Sequence, residues 1–193
     1  MKQESYLPEI RYGSKVASLK AKNQRYTLPE DIRPEPNRVW GKGLISIQGV
    51  DKVFVTERGH RVHALSKTWI EVAEKDFICI VGPSGCGKST LLRIIAGLEQ
   101  ATSGQVLYKG QVQNKPHPEI GMVFQQYSLL PWRTVEQNIV LGLEFERGSA
   151  QKKKEAAERY LELINMKQFR HAYPYELSGG MQQRVAIARA LAN

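Results

Sequence analysis

Gly82-Pro83-Ser84-Gly85-Cys86-Gly87-Lys88-Ser89 is a glycine, four residues, then Gly-Lys-Ser, with Thr90 following. Each residue type there suits the binding of a phosphate chain with a magnesium ion. Gly82, Gly85 and Gly87 let the backbone wrap an anion with its N–H groups turned inward. A helix opening at Lys88 adds the positive end of its dipole. Lys88 brings a full charge to the terminal phosphates. The Ser89 hydroxyl is short enough to ligate magnesium, and Thr90 reaches a further phosphate oxygen. Pro83, Ser84 and Cys86 line the same loop. Beside this stands the plainer reading of a glycine-rich turn that merely precedes a helix. The flanks favour phosphate, because a buried strand is expected before the loop and a helix after it. A helix N-terminus can lower the pKa of a cysteine such as Cys86, but a small loop-filling side chain is the simpler role.

A second cluster is Leu177-Ser178-Gly179-Gly180-Met181-Gln182-Gln183-Arg184. Ser178 suits a helix N-cap. Gly179 and Gly180 permit close approach of a phosphate to backbone N–H groups. One triphosphate does not need two anion sites in one domain. A head-to-tail pair of domains does, each loop facing the other's helix.

The elements that must hold these loops follow from apolar spacing. Leu44–Ile47, Val53–Val55 and Thr68–Val72 alternate like strands. Phe77–Val81 is a continuous apolar run, the pattern of a strand buried on both faces. A helix is expected from Lys88 to about Ala96, ended by Gly97. Val106–Tyr108 and Ile120–Phe124 read as strands, Glu136–Glu144 and Ala150–Asn165 as helices, and Gly179–Leu191 as the last helix. In 150–165, Ala157, Tyr160, Leu161 and Ile164 share a helical stripe, with Lys152–Lys154 toward solvent. Early strands followed by helices indicate an α/β fold with a helical insertion. Residues 1–43 hold Pro8, Pro29, Pro34 and Pro36 with no apolar period, and read as a disordered or strap-like basic extension. Lys15, Lys20, Lys22 and Arg25 within it could serve as a membrane or partner arm.

With both clusters in view, the chain resembles the ATP-binding-cassette (ABC) ATPases, whose Leu-Ser-Gly-Gly signature followed by Gln-Gln-Arg occurs at 177–184. The resemblance covers 44–193 and implies a P-loop NTPase core with an N-terminal antiparallel β-subdomain and a helical subdomain at about 130–180. It implies ATP and Mg2+ as cofactors, held by Lys88, Ser89 and Thr90. It implies a homodimer with a second ATPase subunit, in which Ser178, Gly179 and Gly180 meet the γ-phosphate bound by the opposite copy. Gln125 matches the glutamine that ligates magnesium or positions water. Phe54 lies where the family stacks an aromatic on adenine; the alternative is a core strand aromatic. Ser128-Leu129-Leu130-Pro131-Trp132, together with Val62-His63-Ala64-Leu65, is similar to bacterial importers for nitrate, sulfonates and taurine. That branch implies permease subunits contacted near exposed Leu130 and Trp132. It also implies a solute-binding protein reached indirectly, and a peripheral place on the cytoplasmic face of the inner membrane. Rival readings are a non-transport ABC protein acting on nucleic acid and a non-catalytic nucleotide-binding fragment. The importer reading expects no nucleic-acid partner.

The resemblance also implies a later strand ending in aspartate and glutamate, the latter a general base, and then a histidine that senses the γ-phosphate. The sequence runs to Leu191-Ala192-Asn193 with no aspartate after Asp76, and Glu119 lacks the preceding apolar run. The expectation is therefore a C-terminally truncated cassette lacking part of its core sheet, which binds ATP weakly and hydrolyses it poorly.

Composition sets the outer bounds. The chain has 193 residues and a net charge of +9, and 41% of its residues are hydrophobic. No apolar run reaches the eighteen or so residues of a membrane span. The start, Met1-Lys2-Gln3-Glu4-Ser5, leads into no secretory apolar region. Cys79 and Cys86 show neither a disulfide framework nor a CxxC metal spacing, which fits a reducing compartment. His60, His63, His117 and His171 lack ligand spacing, and none is assigned to chemistry.

Overall fold

The computed structural model describes residues 43–145 and 150–192 in full, and 9–12 and 15–18 by their backbone. The chain forms two compact units, Met1–His117 and Pro118–Asn193.

The first unit contains β1 (Glu9–Tyr12), β2 (Lys15–Ser18), β3 (Ile45–Val55), β4 (Arg61–Val72), β5 (Cys79–Ile80), α1 (Lys88–Ile95), β6 (Ser103–Tyr108) and β7 (Gln111–Val112). Two antiparallel sheets result, ordered β2-β1-β5 and β4-β3-β6-β7. The fragments expected at 44–47 and 53–55 are the two ends of one strand, β3. A register shift between Ile47 and Val50, with Gly49 at φ 61°, lets β3 bend and continue rather than stop. The core gathers Ile47, Val50, Leu65, Ile70 and Val106 from the four-stranded sheet with Leu91 and Ile94 from α1. Fully burying a side chain such as Leu91 contributes roughly 1.5–3 kcal/mol.

Two expectations about strands are corrected. The run 77–81 is not buried on both faces. Only Cys79–Ile80 forms a ladder, antiparallel to β1 through Ile10↔Ile80 and Arg11↔Cys79. Ile78 and Ile80 pack on the core, whereas Phe77 is 96% exposed because no described helix covers its side of the strand. The apolar stretch Ile120–Phe124 forms no ladder at all. Its spacing suits a strand, but no described strand lies alongside to take its N–H and C=O groups. The extension expected over 1–43 contains the hairpin β1–β2; its remainder, including Lys20, Lys22 and Arg25, lies outside the described residues.

The described part of the second unit is helical: α2 (Val135–Ile139), a 3-10 turn at Gly142–Glu144, α3 (Ala150–Leu163) and α4 (Gly179–Leu191). Thr134 caps α2: Gln137 N–H donates to Thr134 Oγ1 at 3.3 Å, and Thr134 N–H donates back to Gln137 Oε1 at 3.0 Å. That helix is shorter than the expected 136–144, since the backbone leaves helical geometry at Val140. Ala157, Leu161 and Ile164 are buried as their spacing implies. They meet Val135 and Ile139 of α2 and Val185 and Ala188 of α4 in one core. Among the described residues no helix is long and apolar enough to cross a membrane.

Candidate functional site

The first unit builds a phosphate-type loop. After β5 the chain turns through Gly85 at φ 78° and Gly87 at φ 97°, a region L side chains avoid. A Cβ on Gly87 would lie 2.4 Å from the Ala64 carbonyl oxygen, so glycine alone lets the loop settle against β4. A Cβ on Gly85 would meet nothing within 4 Å, so that side of the loop is open. Gly87 is the N-cap of α1, with no side-chain cap and no acidic residue in the first turn. The first N–H groups of the helix therefore point outward with their positive dipole uncompensated, as anion binding requires. Lys88 lies on the same loop. Its Nζ donates to the Gly82 and Pro83 carbonyls, each at 2.7 Å, and lies 3.6 Å from Cys86 Sγ. Cys86 is buried at 4% exposure, as a loop-filling side chain is. Ser89 is exposed and Thr90 half-buried. Glycines at the positive-φ positions, an open helix start, a lysine and an exposed hydroxyl together fit a magnesium-bound triphosphate.

Phe54 lies on the strand next to the one this loop rests against. In the β3–β4 ladder it pairs with Val62, two residues from the Ala64 carbonyl that underlies Gly87. One strand spacing and two residues of rise place it roughly 10 Å from the loop. Its ring is 37% exposed rather than buried in the core. Lys52 Nζ stands 4.7 Å from the ring centroid.

Gln125 and the second cluster belong to the other unit. Gln125 is exposed in an irregular segment. Ser178 caps α4, with Met181 N–H donating to its Oγ at 3.4 Å. Gly180 faces open space, and a Cβ on Gly179 would come no nearer than 3.8 Å to Tyr127 Oη. The backbone there is open to a ligand, as the two glycines suggest. Trp132 is 69% exposed. Leu130, expected to be exposed, is half-buried. Asn138 holds its backbone from both sides: Leu130 N–H donates to Oδ1 at 2.8 Å, and Nδ2 donates to Leu130 O at 3.2 Å.

Several supporting residues carry roles that their local sequence does not announce. Asn138 is fully buried and also donates to the Arg133 and Thr134 carbonyls, each at 3.0 Å. Its signal was a polar residue three places from Val135, on the buried stripe of α2. Gln182 Nε2 donates to the Pro174 and Leu177 carbonyls at 2.9 and 3.2 Å, bracing the approach to Ser178. Arg189 donates from Nη1 to Ser128 O at 2.8 Å and from Nη2 to Tyr127 O at 3.0 Å. Burial holds its pKa below the usual arginine value. Lys52 and Arg189 gave no local signal. Among the described residues no cluster of three His, Cys, Asp or Glu is placed to hold a metal ion. On the loop itself, the exposed Ser89 hydroxyl could serve a magnesium ion bound with the phosphates.

A glycine-locked loop with a lysine at a helix start, after a strand, defines a phosphate-loop nucleotide-binding protein. The family follows from comparison with known proteins. The model of the ABC transporter family matches residues 65–193, and the chain belongs to that family. It is 48% identical over 148 residues to the nitrate import ATP-binding protein NrtD of Synechocystis sp., covering 77% of this chain and 55% of that protein. It is 41% identical over 149 residues to the taurine import ATP-binding protein TauB of Rhizobium johnstonii, covering 77% and 57% respectively. The chain thus spans about half the length of the curated relatives it matches. Among solved structures, a dimeric post-hydrolysis state of the ATP-binding cassette MJ0796 bound to ADP and Pi aligns with a TM-score of 0.68 and 35% identity. That alignment covers 77% of this chain and 69% of that one. The expected ABC ATPase fold class is therefore borne out.

Proposed function

We propose that this chain is the nucleotide-binding part of the ATPase subunit of an importer for a small solute of the nitrate, sulfonate or taurine kind. The observation that carries the reading is the loop 82–90: glycine-dictated turns deliver Lys88 and the open start of α1 to one point. The relatives named for nitrate and taurine import support the transport class.

In this reading the amides of 85–90 and Lys88 take the phosphates, and Phe54 takes the base. Ser89 is read as a ligand of Mg2+ and Gln125 as a residue that would ligate it or position water; the ion would neutralise charge on the phosphates. Ser178, Gly179 and Gly180 complete the site of a second copy, so two chains enclose two nucleotides. Trp132 offers the permease an aromatic anchor of the kind that dominates interfaces. The subunit works peripherally at the cytoplasmic face.

Sedimentation of the chain with and without MgATP tests the paired arrangement. Nucleotide is expected to shift the chain toward a dimer, and Ser178→Arg to prevent the shift while leaving binding to the loop. A chain that stays monomeric at saturating nucleotide would remove the head-to-tail site from the proposal.

A further inference from the structure

Lys52 has two engagements at once. Its ammonium donates to Glu99 Oε1 and to the Gln100 carbonyl, each at 2.7 Å. It also stands 4.7 Å from the centre of the Phe54 ring, inside the roughly 6 Å range of cation–π attraction. The Lys52 side chain is only 13% exposed, against 29% for Glu99. The Lys52 side chain is thus mostly covered and its ammonium partly so, and cation–π attraction grows as the cation loses water. Glu99 answers with a carboxyl pKa held below its ordinary value, chiefly by the hydrogen bond from Lys52.

Glu99 and Gln100 lie just past α1, whose first residue is Lys88. Lys52 therefore ties the aromatic on β3 to the segment in which the phosphate helix ends. One face of the ring is taken by a cation that is itself anchored at two points. Phe54 as a whole is 37% exposed, so part of it beyond the cation faces solvent.

We propose that Lys52 is a positioning residue for nucleotide recognition: anchored by Glu99 and the Gln100 carbonyl, it clamps the Phe54 ring so that the free face is presented to a purine base. This rests on the reading of Phe54 as the base platform. Without the clamp, the ring must be ordered at the moment of binding, and that rotamer entropy is subtracted from affinity. The clamp acts on the base alone, so a ligand with phosphates and no base does not sense it.

The test measures affinity of the full chain for MgATP and for magnesium tripolyphosphate, which has no base. Lys52→Met is expected to weaken MgATP about threefold to tenfold, the range of one partly desolvated cation–π contact, and to leave tripolyphosphate unchanged. Lys52→Arg, which keeps a cation over the ring and an Arg–carboxylate pair, should restore most of the loss. Lys52→Met combined with Phe54→Ala should be no weaker than Phe54→Ala alone. Should Lys52→Met fail to fold, Glu99→Gln loosens the same anchor and should shift the ratio of the two affinities the same way. Equal weakening of both ligands, or additive losses in the double variant, would overturn the clamp. A Phe54→Ala chain with an unchanged ratio would overturn the base platform and the clamp with it. A Lys88→Ala chain that still bound both ligands at full strength would instead overturn the phosphate loop.

Discussion

Arg189, in the last turn of α4, donates to the carbonyl of Ser128 at 2.8 Å and to that of Tyr127 at 3.0 Å. Ser128 sits at φ 50°, a conformation a serine adopts only when its surroundings hold it there. The guanidinium spends its charge on the carbonyls of a loop two to three residues beyond Gln125. The helix that opens at Ser178 thereby fixes the segment that carries Gln125 and Trp132.

Removing that grip should be measurable. Arg189→Met is expected to lower stability by about 1–3 kcal/mol, the range for losing hydrogen bonds to a charged donor. Arg189→Lys should recover part of it, because an ammonium cannot fork to both carbonyls in the same plane. Urea unfolding checks the stability. Hydrogen exchange of the amides at 126–130 checks that the loop is what loosens. An unchanged exchange pattern would mean that Ser128 is held by something else.

Gly85 and Gly87 are both at positive φ, yet they should respond differently to alanine. At Gly85 the added methyl meets open space, so the cost is backbone strain alone, about 1–2 kcal/mol. At Gly87 the methyl would collide with the Ala64 carbonyl oxygen at 2.4 Å, so the loop must leave β4. Gly87→Ala is expected to abolish MgATP binding, while Gly85→Ala keeps a well-folded chain. Equal thermal shifts for the two variants would contradict this ordering.

Asn138 makes four hydrogen bonds from a fully buried position. Asn138→Leu removes the side-chain partners of the half-buried Leu130 amide and Arg133 carbonyl, while the Leu130 and Thr134 carbonyls keep their backbone donors, Arg133 N–H and Asn138 N–H. A loss of about 2–4 kcal/mol is expected, two unsatisfied groups being costlier than one. Denaturant midpoints read this directly, and a loss under about 1 kcal/mol would show that the loop re-forms its bonds elsewhere.

Glu99 gives the acid limb of stability its sign. Its folded-state carboxyl titrates below the ordinary value of 4.5, so the Lys52 pair contributes stability above that pH. The contribution is lost as pH falls through the lowered folded value. The pair is partly exposed and modest, about 1 kcal/mol or less. Glu99→Gln should remove this slope below pH 4.5 and leave the neutral-to-alkaline profile unaltered. An acid limb identical to that of the parent chain would assign the slope to other carboxylates.

What the sequence made legible was local. The loop 82–90 and the start of α4 at Ser178 depend on residue types adjacent in the chain, and both stand where their spacing put them. Long-range support was not legible. Lys52 and Glu99 are 47 residues apart, and Arg189 and Ser128 are 61 apart, so nothing local joins them. The strand expectations failed where apolar spacing found no partner among the described residues: Ile120–Phe124 has a strand's spacing without a described neighbour, and Phe77 an apolar residue's place without a described covering helix. Asn138 lies between these cases, since its place on an apolar stripe marks it before its partners are known.

The most direct test is calorimetric titration of MgATP into the parent chain and into Lys88→Ala, with matched thermal melts to show that both are folded. Removing a full charge from the phosphate cradle is expected to weaken binding by about a hundredfold or more, the scale of a lost charged hydrogen bond. Undiminished affinity in a folded Lys88→Ala chain would mean that nucleotide binds elsewhere, or not through its phosphates.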